Sequence, residues 1–333
     1  MKKINAAIIG MGVGQKHLEA IDKYKKSTVK IICERNKKKI IQLKKKYPNK
    51  KIITDAKTIF SDKSINLVSI ASYDDTHYKY LLKSIKTNKN VIVEKPLCLT
   101  LSQLKNIYKN LKKNPKVKIT SNLVLRVNDL FKKIKSSINK KKIFYIEADY
   151  LWGRKHKLFE WRSKLKNYSI TLGAGIHMID LVMWLLNEKP VSVMTYGSDK
   201  DTANTKFKKH SLIFYIFKFP NNILVKISAN AAGSFEHSHE LKIFERDKTF
   251  YNSLNNSYIL KTKNNKISKK KIFSDYPDKK NRKLLIRNFI DHLLYPRKRC
   301  LISLKEQINL MSVCFYADKS LKLNKALKIK YLK

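Results

Sequence analysis

Long apolar runs are missing from this 333-residue chain: no stretch approaches the roughly 18 residues that cross a bilayer, so no membrane-spanning helix is expected. Cysteine is scarce. Cys33, Cys98, Cys300 and Cys314 show neither paired metal-ligand spacing nor the dense framework of a small stapled domain, which leaves reduced thiols in a cytoplasmic protein as the expectation, with no metal site. No internal repeat is visible. The most informative deficit is arginine, only nine of the 73 basic residues. A net charge of +48 raises the question of nucleic acid. Bidentate reading of phosphate and guanine, however, favours arginine over lysine. Here lysine is scattered through almost every helical segment beside frequent Ile and Asn, the pattern of AT-rich codons acting on solvated positions. Nucleic acid is therefore set behind a small anionic substrate, whose encounter the positive field would speed.

The start, Met1-Lys2-Lys3 and a few apolar residues, superficially resembles a signal peptide. The apolar run breaks at Gly10 and Gly12 and no small-residue cleavage site follows, so a strand is expected there. From that point short β-rich runs (Ile4 to Ile9, Val29 to Cys33, Lys51 to Ile53, Leu67 to Ala71, Val91 to Val93, Val117 to Thr120) alternate with helical spacing. Such alternation predicts βαβ units and a parallel sheet, an α/β Rossmann fold over 1–121. After about Asn122 the pattern changes. Runs such as Phe144 to Leu151, Leu212 to Phe219 and Ile223 to Asn230 follow one another through polar turns and are interrupted by the strongly apolar helix Ile176 to Leu186. An α+β C-terminal domain with a mainly antiparallel open sheet is expected over 122–333, serving substrate binding and oligomerisation. The Lys/Asn-rich piece Lys261 to Lys271 reads as an exposed loop or edge.

The first strand runs straight into Gly10-Met11-Gly12-Val13-Gly14 and then a helix. Glycines there let the chain turn tightly and bring backbone N–H groups to a pyrophosphate at the helix N-terminus. The form departs from G-x-G-x-x-G, because Gln15 stands where the third glycine belongs and Gly14 comes one residue early. Glu34 ends the second strand, where a carboxylate accepts from the adenosine ribose hydroxyls and repels a 2′-phosphate, so NAD is favoured with NADP left open. Arg35 could stack on adenine or meet a phosphate. The fourth strand leads into Ala71-Ser72-Tyr73-Asp74-Asp75-Thr76-His77 and the fifth into Glu94-Lys95-Pro96, both at the ligand-binding edge of an open parallel sheet.

These residues, with His17 after the glycine turn, Asn122, Arg126 and Gly173-Ala174-Gly175-Ile176-His177-Met178-Ile179-Asp180, resemble the Gfo/Idh/MocA oxidoreductases in order and spacing. The resemblance spans nearly the whole chain. It implies that Gly10, Gly12, Val13, Gly14, Glu34, Arg35, Ser72, His77, Glu94 and Lys95 hold the dinucleotide. It implies further that Lys95 hydrogen-bonds the substrate hydroxyl and that His177 takes its proton. Both roles suit the chemistry: histidine titrates near neutrality, and an ammonium aimed at a developing alkoxide stabilises it. Asp180, three residues on, could orient the imidazole. The bland alternatives are a packed histidine and a buried carboxylate. Asn122 and Arg126 fall on the substrate side, together with the stretch around Trp152, Arg154, Trp161 and Arg162. Aromatic faces bind sugars and arginine clamps carboxylate or phosphate. The alternative, tryptophans in the core and arginines paired with surface carboxylates, stays open.

One departure stands out. Many members of the family carry an acid four residues before the histidine, and here that position is Gly173. The base works without the carboxylate, part of the chemistry is lost, or the glycine makes room for a bulky substrate. The expectation is an NAD(P)-dependent oxidoreductase acting on a CH–OH group of a sugar or nucleotide sugar. Its rivals are a catalytically impaired dinucleotide-binding sensor or assembly protein, and a basic nucleic-acid-associated protein. An apolar sheet face with Ile213, Tyr215 and Phe217 would need cover, so a homodimer or homotetramer is expected.

Overall fold

The computed structural model describes residues 3–254, 256–272 and 280–332. The chain divides into two compact units, residues 1–123 with 280–308 and residues 124–279 with 309–333.

The first unit alternates strand and helix. It runs through β1 (Ile4–Ile9), α1 (Gly14–Asp22), β2 (Ser27–Cys33), α2 (Lys37–Lys46), β3 (Lys51–Ile53) and α3 (Lys57–Ser61). It continues with β4 (Leu67–Ile70), α4 (Asp74–Lys86), β5 (Asn90–Val93), α5 (Leu101–Lys113) and β6 (Ile119–Ser121). All six strands are parallel, in the order β3-β2-β1-β4-β5-β6. The order reverses between β1 and β4, so the loops leaving those two strands open a crevice at their carboxyl ends. Every residue of β4 is buried, as are all of β1 but Asn5, because helices cover both faces. The six lysines of α2 are all exposed and only Leu43 is buried, which is what a composition bias confined to solvated positions produces. Helix starts are capped locally: Asn36 Oδ1 accepts from Lys39 N, and Thr100 Oγ1 accepts from Gln103 N while Gln103 Oε1 accepts from Leu99 N.

The second unit adds α6 (Asp129–Ser137), β7 (Ile143–Leu151), α7 (Ile176–Leu186), β8 (Ser192–Ser198), β9 (Leu212–Lys218) and β10 (Leu224–Asn230). β11 (Ser238–Glu245), β12 (Lys248–Asn252), β13 (Ser257–Lys263) and β14 (Lys266–Lys271) complete its hairpins. The nine-stranded sheet runs β14-β13-β12-β11-β7-β10-β9-β8 and ends on β15 (Leu327–Lys328); only β7 and β10 pair in parallel. The lysine-rich piece is the exposed edge hairpin of β13 and β14. α7 packs against β7 and, being covered, is apolar around most of its circumference.

Two expectations need correction. Residues 122–333 are not one domain, because α8 (Lys283–Leu294) returns to the first unit, where Ile286, Phe289 and Ile290 join Leu18, Ile21 and Ile32 in one core. α9 (Leu304–Leu323) then begins in the first unit and continues in the second. An amphipathic helix shows that it has an apolar face, not what that face meets. The second correction concerns the sheet face: Ile213, Tyr215 and Phe217 are the core side of β9, each no more than 1% exposed. Leu212, Phe214 and Ile216 face outward. Both faces of this strand are apolar, so alternation gave the period and not the side.

Candidate functional site

In the first unit the glycine turn connects β1 to α1. Gly10 has φ of 89°, and a Cβ there would lie 2.7 Å from Ala71 O and 2.8 Å from Ser72 N, so only glycine lets the end of β1 pass the end of β4. Nothing lies within 4 Å of a Cβ built on Gly12, which leaves the open approach that a pyrophosphate needs. A Cβ on Gly14 would meet Ile8 Cγ2 at 3.0 Å and Ala71 Cβ at 3.3 Å. Gly14 therefore performs the close helix–strand packing of the usual third glycine, one residue early. Val13, between them, is half exposed.

Glu34 ties this turn to the end of β2. Its Oε2 accepts from Met11 N (3.0 Å), and its Oε1 accepts from Arg35 N (2.8 Å) and Asn36 N (3.0 Å). A carboxylate has about four acceptor sites, so one remains for a ribose hydroxyl. Arg35 is exposed beside it. The room at Gly12 and the acid at the end of β2 fit a dinucleotide.

Behind the turn lies a buried polar chain. His17 bridges Ser69 Oγ (2.8 Å) and Glu94 Oε1 (2.9 Å), and Asn122 Nδ2 donates to the same Glu94 oxygen at 2.6 Å. Burial pushes the Glu94 carboxyl up, but the hydrogen bond and charge of His17, with Asn122 and Lys95, outweigh it and hold it below the usual carboxylate range. His77 is wholly buried, its ring nitrogens on Pro96 O (2.7 Å) and Ser72 O (3.1 Å). Expected among the dinucleotide ligands, His77 instead fastens the loop after β4 to the loop carrying Lys95, and Ser72 Oγ meets Thr76 Oγ1 at 2.6 Å. Asn122, expected on the substrate, braces Glu94. Lys95 itself follows Glu94 directly beyond β5, at the same sheet edge as Gly10 and Ser72.

The second unit holds the other candidates. A π-helical turn, Thr171–Gly175, delivers His177 at the first turn of α7. Its ring stacks on Tyr150 (centroids 5.8 Å, 20° between planes) and meets His239 edge-on at 6.2 Å. Tyr150 and His239 are cross-strand partners on β7 and β11, and His237 stands 5.4 Å from Tyr150 and 5.1 Å from His239. Three of the eight histidines thus gather around one tyrosine. Among the described residues no three His, Cys, Asp or Glu side chains are placed to hold a metal ion. His237 and His239 went unread in the sequence: His239 lies on β11 and His237 in the turn just before it, so strand periodicity does not join them.

Asp180 was expected to orient the imidazole and Arg126 to meet the substrate, and the structure pairs the two with each other. Arg126 Nε lies 3.0 Å from Asp180 Oδ2 and Nη2 lies 2.7 Å from Oδ1, with both side chains at most 4% exposed. A charge this deep needs a partner, and the forked contact fulfils that need for both. Each is the other's charge partner in the fold. Near the end of β7, Trp152 is buried, Trp161 is partly buried, and the Arg162 guanidinium lies 5.2 and 4.2 Å above the two rings. Arg162 is thus stacked between tryptophans, while Arg154 is exposed.

The turn before α7 rests on a buried carboxyl. Ser169 Oγ donates to Asp318 at 2.7 Å. Burial raises the Asp318 carboxyl from 3.8 to about 6, the Thr171 and Ser169 hydrogen bonds offsetting part of that rise. The folded state then holds this proton to higher pH than the unfolded chain, so stability is full below about pH 4, falls as pH rises towards 6, and is level above. Asp318→Asn is expected to remove that fall and to raise the melting temperature at pH 7.5 more than at pH 4. Equal melting shifts at both values would count against the buried proton.

Residues 4–122 match the model of the oxidoreductase family GFO_IDH_MocA, NAD-binding Rossmann fold, and residues 135–283 match its C-terminal alpha/beta domain. Inositol 2-dehydrogenase of Salmonella typhimurium (strain LT2) is 23% identical over 236 residues, 70% of this chain and 69% of that protein. The chain spans only 32% to 47% of the length of the first curated relatives it matches. Among solved structures, scyllo-inositol dehydrogenase of Lactobacillus casei with bound NAD(H) and scyllo-inositol superposes with a TM-score of 0.80 at 14% identity, covering 98% of this chain and 99% of that one. UDP-N-acetylglucosamine 3-dehydrogenase GnnA of Acidithiobacillus ferrooxidans gives 0.79 at 15% identity, covering 97% and 99%. At such identities the superpositions establish the fold alone. The two family models together cover most of the chain, and the parallel first sheet with its alternating helices agrees with the Rossmann description: the chain belongs to the GFO_IDH_MocA family of oxidoreductases, with an NAD-binding Rossmann domain and a C-terminal alpha/beta domain.

Proposed function

We propose that this chain is a dehydrogenase that oxidises, or in reverse forms, a secondary alcohol of a sugar, cyclic polyol or nucleotide sugar. The observation that carries this reading is the placement of His177, at the head of α7 among Tyr150, His237 and His239. A base on a helix just after a π-helical turn, ringed by side chains with polar edges, suits a polyhydroxyl substrate that needs one proton removed and several hydroxyls held. NAD, when bound, supplies the hydride acceptor. Gly10 makes the tight turn, its own N–H spent on Cys33 O, so that the turn through Gly12 and Gly14 meets the pyrophosphate, and Glu34 accepts from the ribose. His177 takes the alcohol proton on an imidazole nitrogen. Lys95 donates from Nζ to the oxygen as negative charge develops there. The names of the inositol and UDP-N-acetylglucosamine dehydrogenases support the substrate class. The test is NADH formation at 340 nm with myo-inositol, scyllo-inositol and UDP-N-acetylglucosamine. Thermal protection by NADH with no turnover on any of them would instead favour a dinucleotide-binding sensor, the reading that Gly173 motivates.

We also infer self-association through the outer sheet face. Phe214 lies opposite Tyr196, and with Leu224 they are 37%, 54% and 40% exposed. Phe214→Glu is expected to convert a dimer or tetramer to monomer in light scattering. A wild-type monomer would overturn the inference.

A further inference from the structure

Gly173 departs from the acid–histidine pattern, and the structure puts another side chain into the space that glycine leaves. A Cβ built on Gly173 would lie 1.9 Å from Tyr168 Oη and 2.6 Å from its Cζ, far inside van der Waals contact. No side chain fits at 173 while Tyr168 stays where it is. Tyr168 is only 3% exposed, and its ring is held edge-on by Trp161 (6.2 Å) and Phe207 (6.0 Å). The hydroxyl is therefore fixed where a side chain at 173 would begin.

That place lies on the helix face that carries His177, one turn earlier. The π-helical turn Thr171–Gly175 continues without a break into α7, so residues 173 and 177 share a face. Helical side chains lean towards the N-terminus, which tilts the His177 imidazole over the turn that carries residue 173. Tyr150 covers one face of that ring.

We propose that Tyr168 is a positioning residue for His177, its phenol oxygen taking the place of the acid absent at 173 and accepting an imidazole N–H so that the other nitrogen faces the substrate alcohol. The proposal rests on His177 being the base. Other polar or titratable groups near His177 include Tyr150 on β7, His239 on β11 with His237 beside it, and Asp180 three residues on along α7, which pairs with Arg126. A phenol orients the imidazole without adding the full negative charge that a carboxylate would bring to this cluster.

The test is Tyr168→Phe, which keeps the ring packing and removes one oxygen. Histidine-labelled full-length protein, with the His177 signal assigned by its loss in His177→Ala, gives the imidazole titration by NMR without any substrate. Loss of an acceptor for the imidazolium is expected to lower the His177 pKa by about half a unit or more. On whichever of the three alcohols forms NADH, kcat is expected to fall about tenfold, with the acid limb of kcat/KM moving to lower pH in step. In the pair Tyr168→Ala with Gly173→Asp, the new carboxylate is expected to raise the His177 pKa above that of Tyr168→Ala alone and to recover part of its lost rate. An unchanged His177 titration in Tyr168→Phe overturns the proposal whether or not a substrate is found. Full turnover in His177→Ala would instead overturn the assignment of the base, so the two failures are read separately.

Discussion

Replacing His177 by alanine is expected to lower kcat about a hundred- to ten-thousand-fold while leaving the Kd for NADH within about twofold. The size of the loss follows from the task. An alcohol holds its proton far above neutral pH, so hydride departs readily only if a base takes the proton in the same transition state, and that is what positioned imidazoles contribute. The unchanged Kd follows from where the residue sits: His177 belongs to the second unit, whereas the glycine turn and Glu34 belong to the first. The variant is also expected to lose the acid limb of the wild-type pH profile, because the group whose deprotonation shapes that limb is gone. Lys95→Ala is expected to cost kcat as well, through the alkoxide it no longer stabilises. Steady-state kinetics at saturating cofactor with tryptophan-quenching titration of NADH measures both quantities, and wild-type turnover in either variant would refute the role assigned to that residue.

The second large effect is on stability. Arg126→Ala is expected to destabilise the fold by about 3–5 kcal/mol, because it leaves the Asp180 carboxylate buried without its cation. Removing both charges together, as Arg126→Met with Asp180→Leu, is expected to cost much less and can be neutral, since neither desolvation penalty is then incurred. Urea unfolding of the two single variants and the pair measures the coupling. The same proteins decide what Asp180 does: a double variant that folds and keeps kcat confirms a structural pair, whereas one that folds with kcat lost would return Asp180 to the chemistry.

The sequence told strand from helix in the first unit because burial on both faces leaves continuous apolar runs and the glycine turn marks where β1 ends. It singled out His177 and Lys95, by their motifs, as the candidates that the proposed reading uses. What it left ambiguous has common physical causes. Arg126, His77 and Asn122 are polar residues near a ligand edge, and nothing in their identity separates a group that faces a substrate from one that braces another side chain. The side of β9 was illegible because Leu212 to Phe217 are apolar on both faces. The reason for Gly173 was illegible because it lies in Tyr168, five residues upstream, whose hydroxyl reaches it only through the shape of the intervening turn.

The return of α8 to the first unit bears on how the protein is made. A ribosome releases the glycine turn and all six parallel strands early, yet Ile286, Phe289 and Ile290, which close the core over Leu18 and Ile21, emerge only after the whole nine-stranded sheet except its last short strand. Through that interval the nascent dinucleotide-binding unit shows an unclosed apolar seam. Its completion is thereby tied to synthesis of the second unit, and a transcript cut short after β6 would yield a sticky fragment for quality control to remove rather than a free NAD-binding domain.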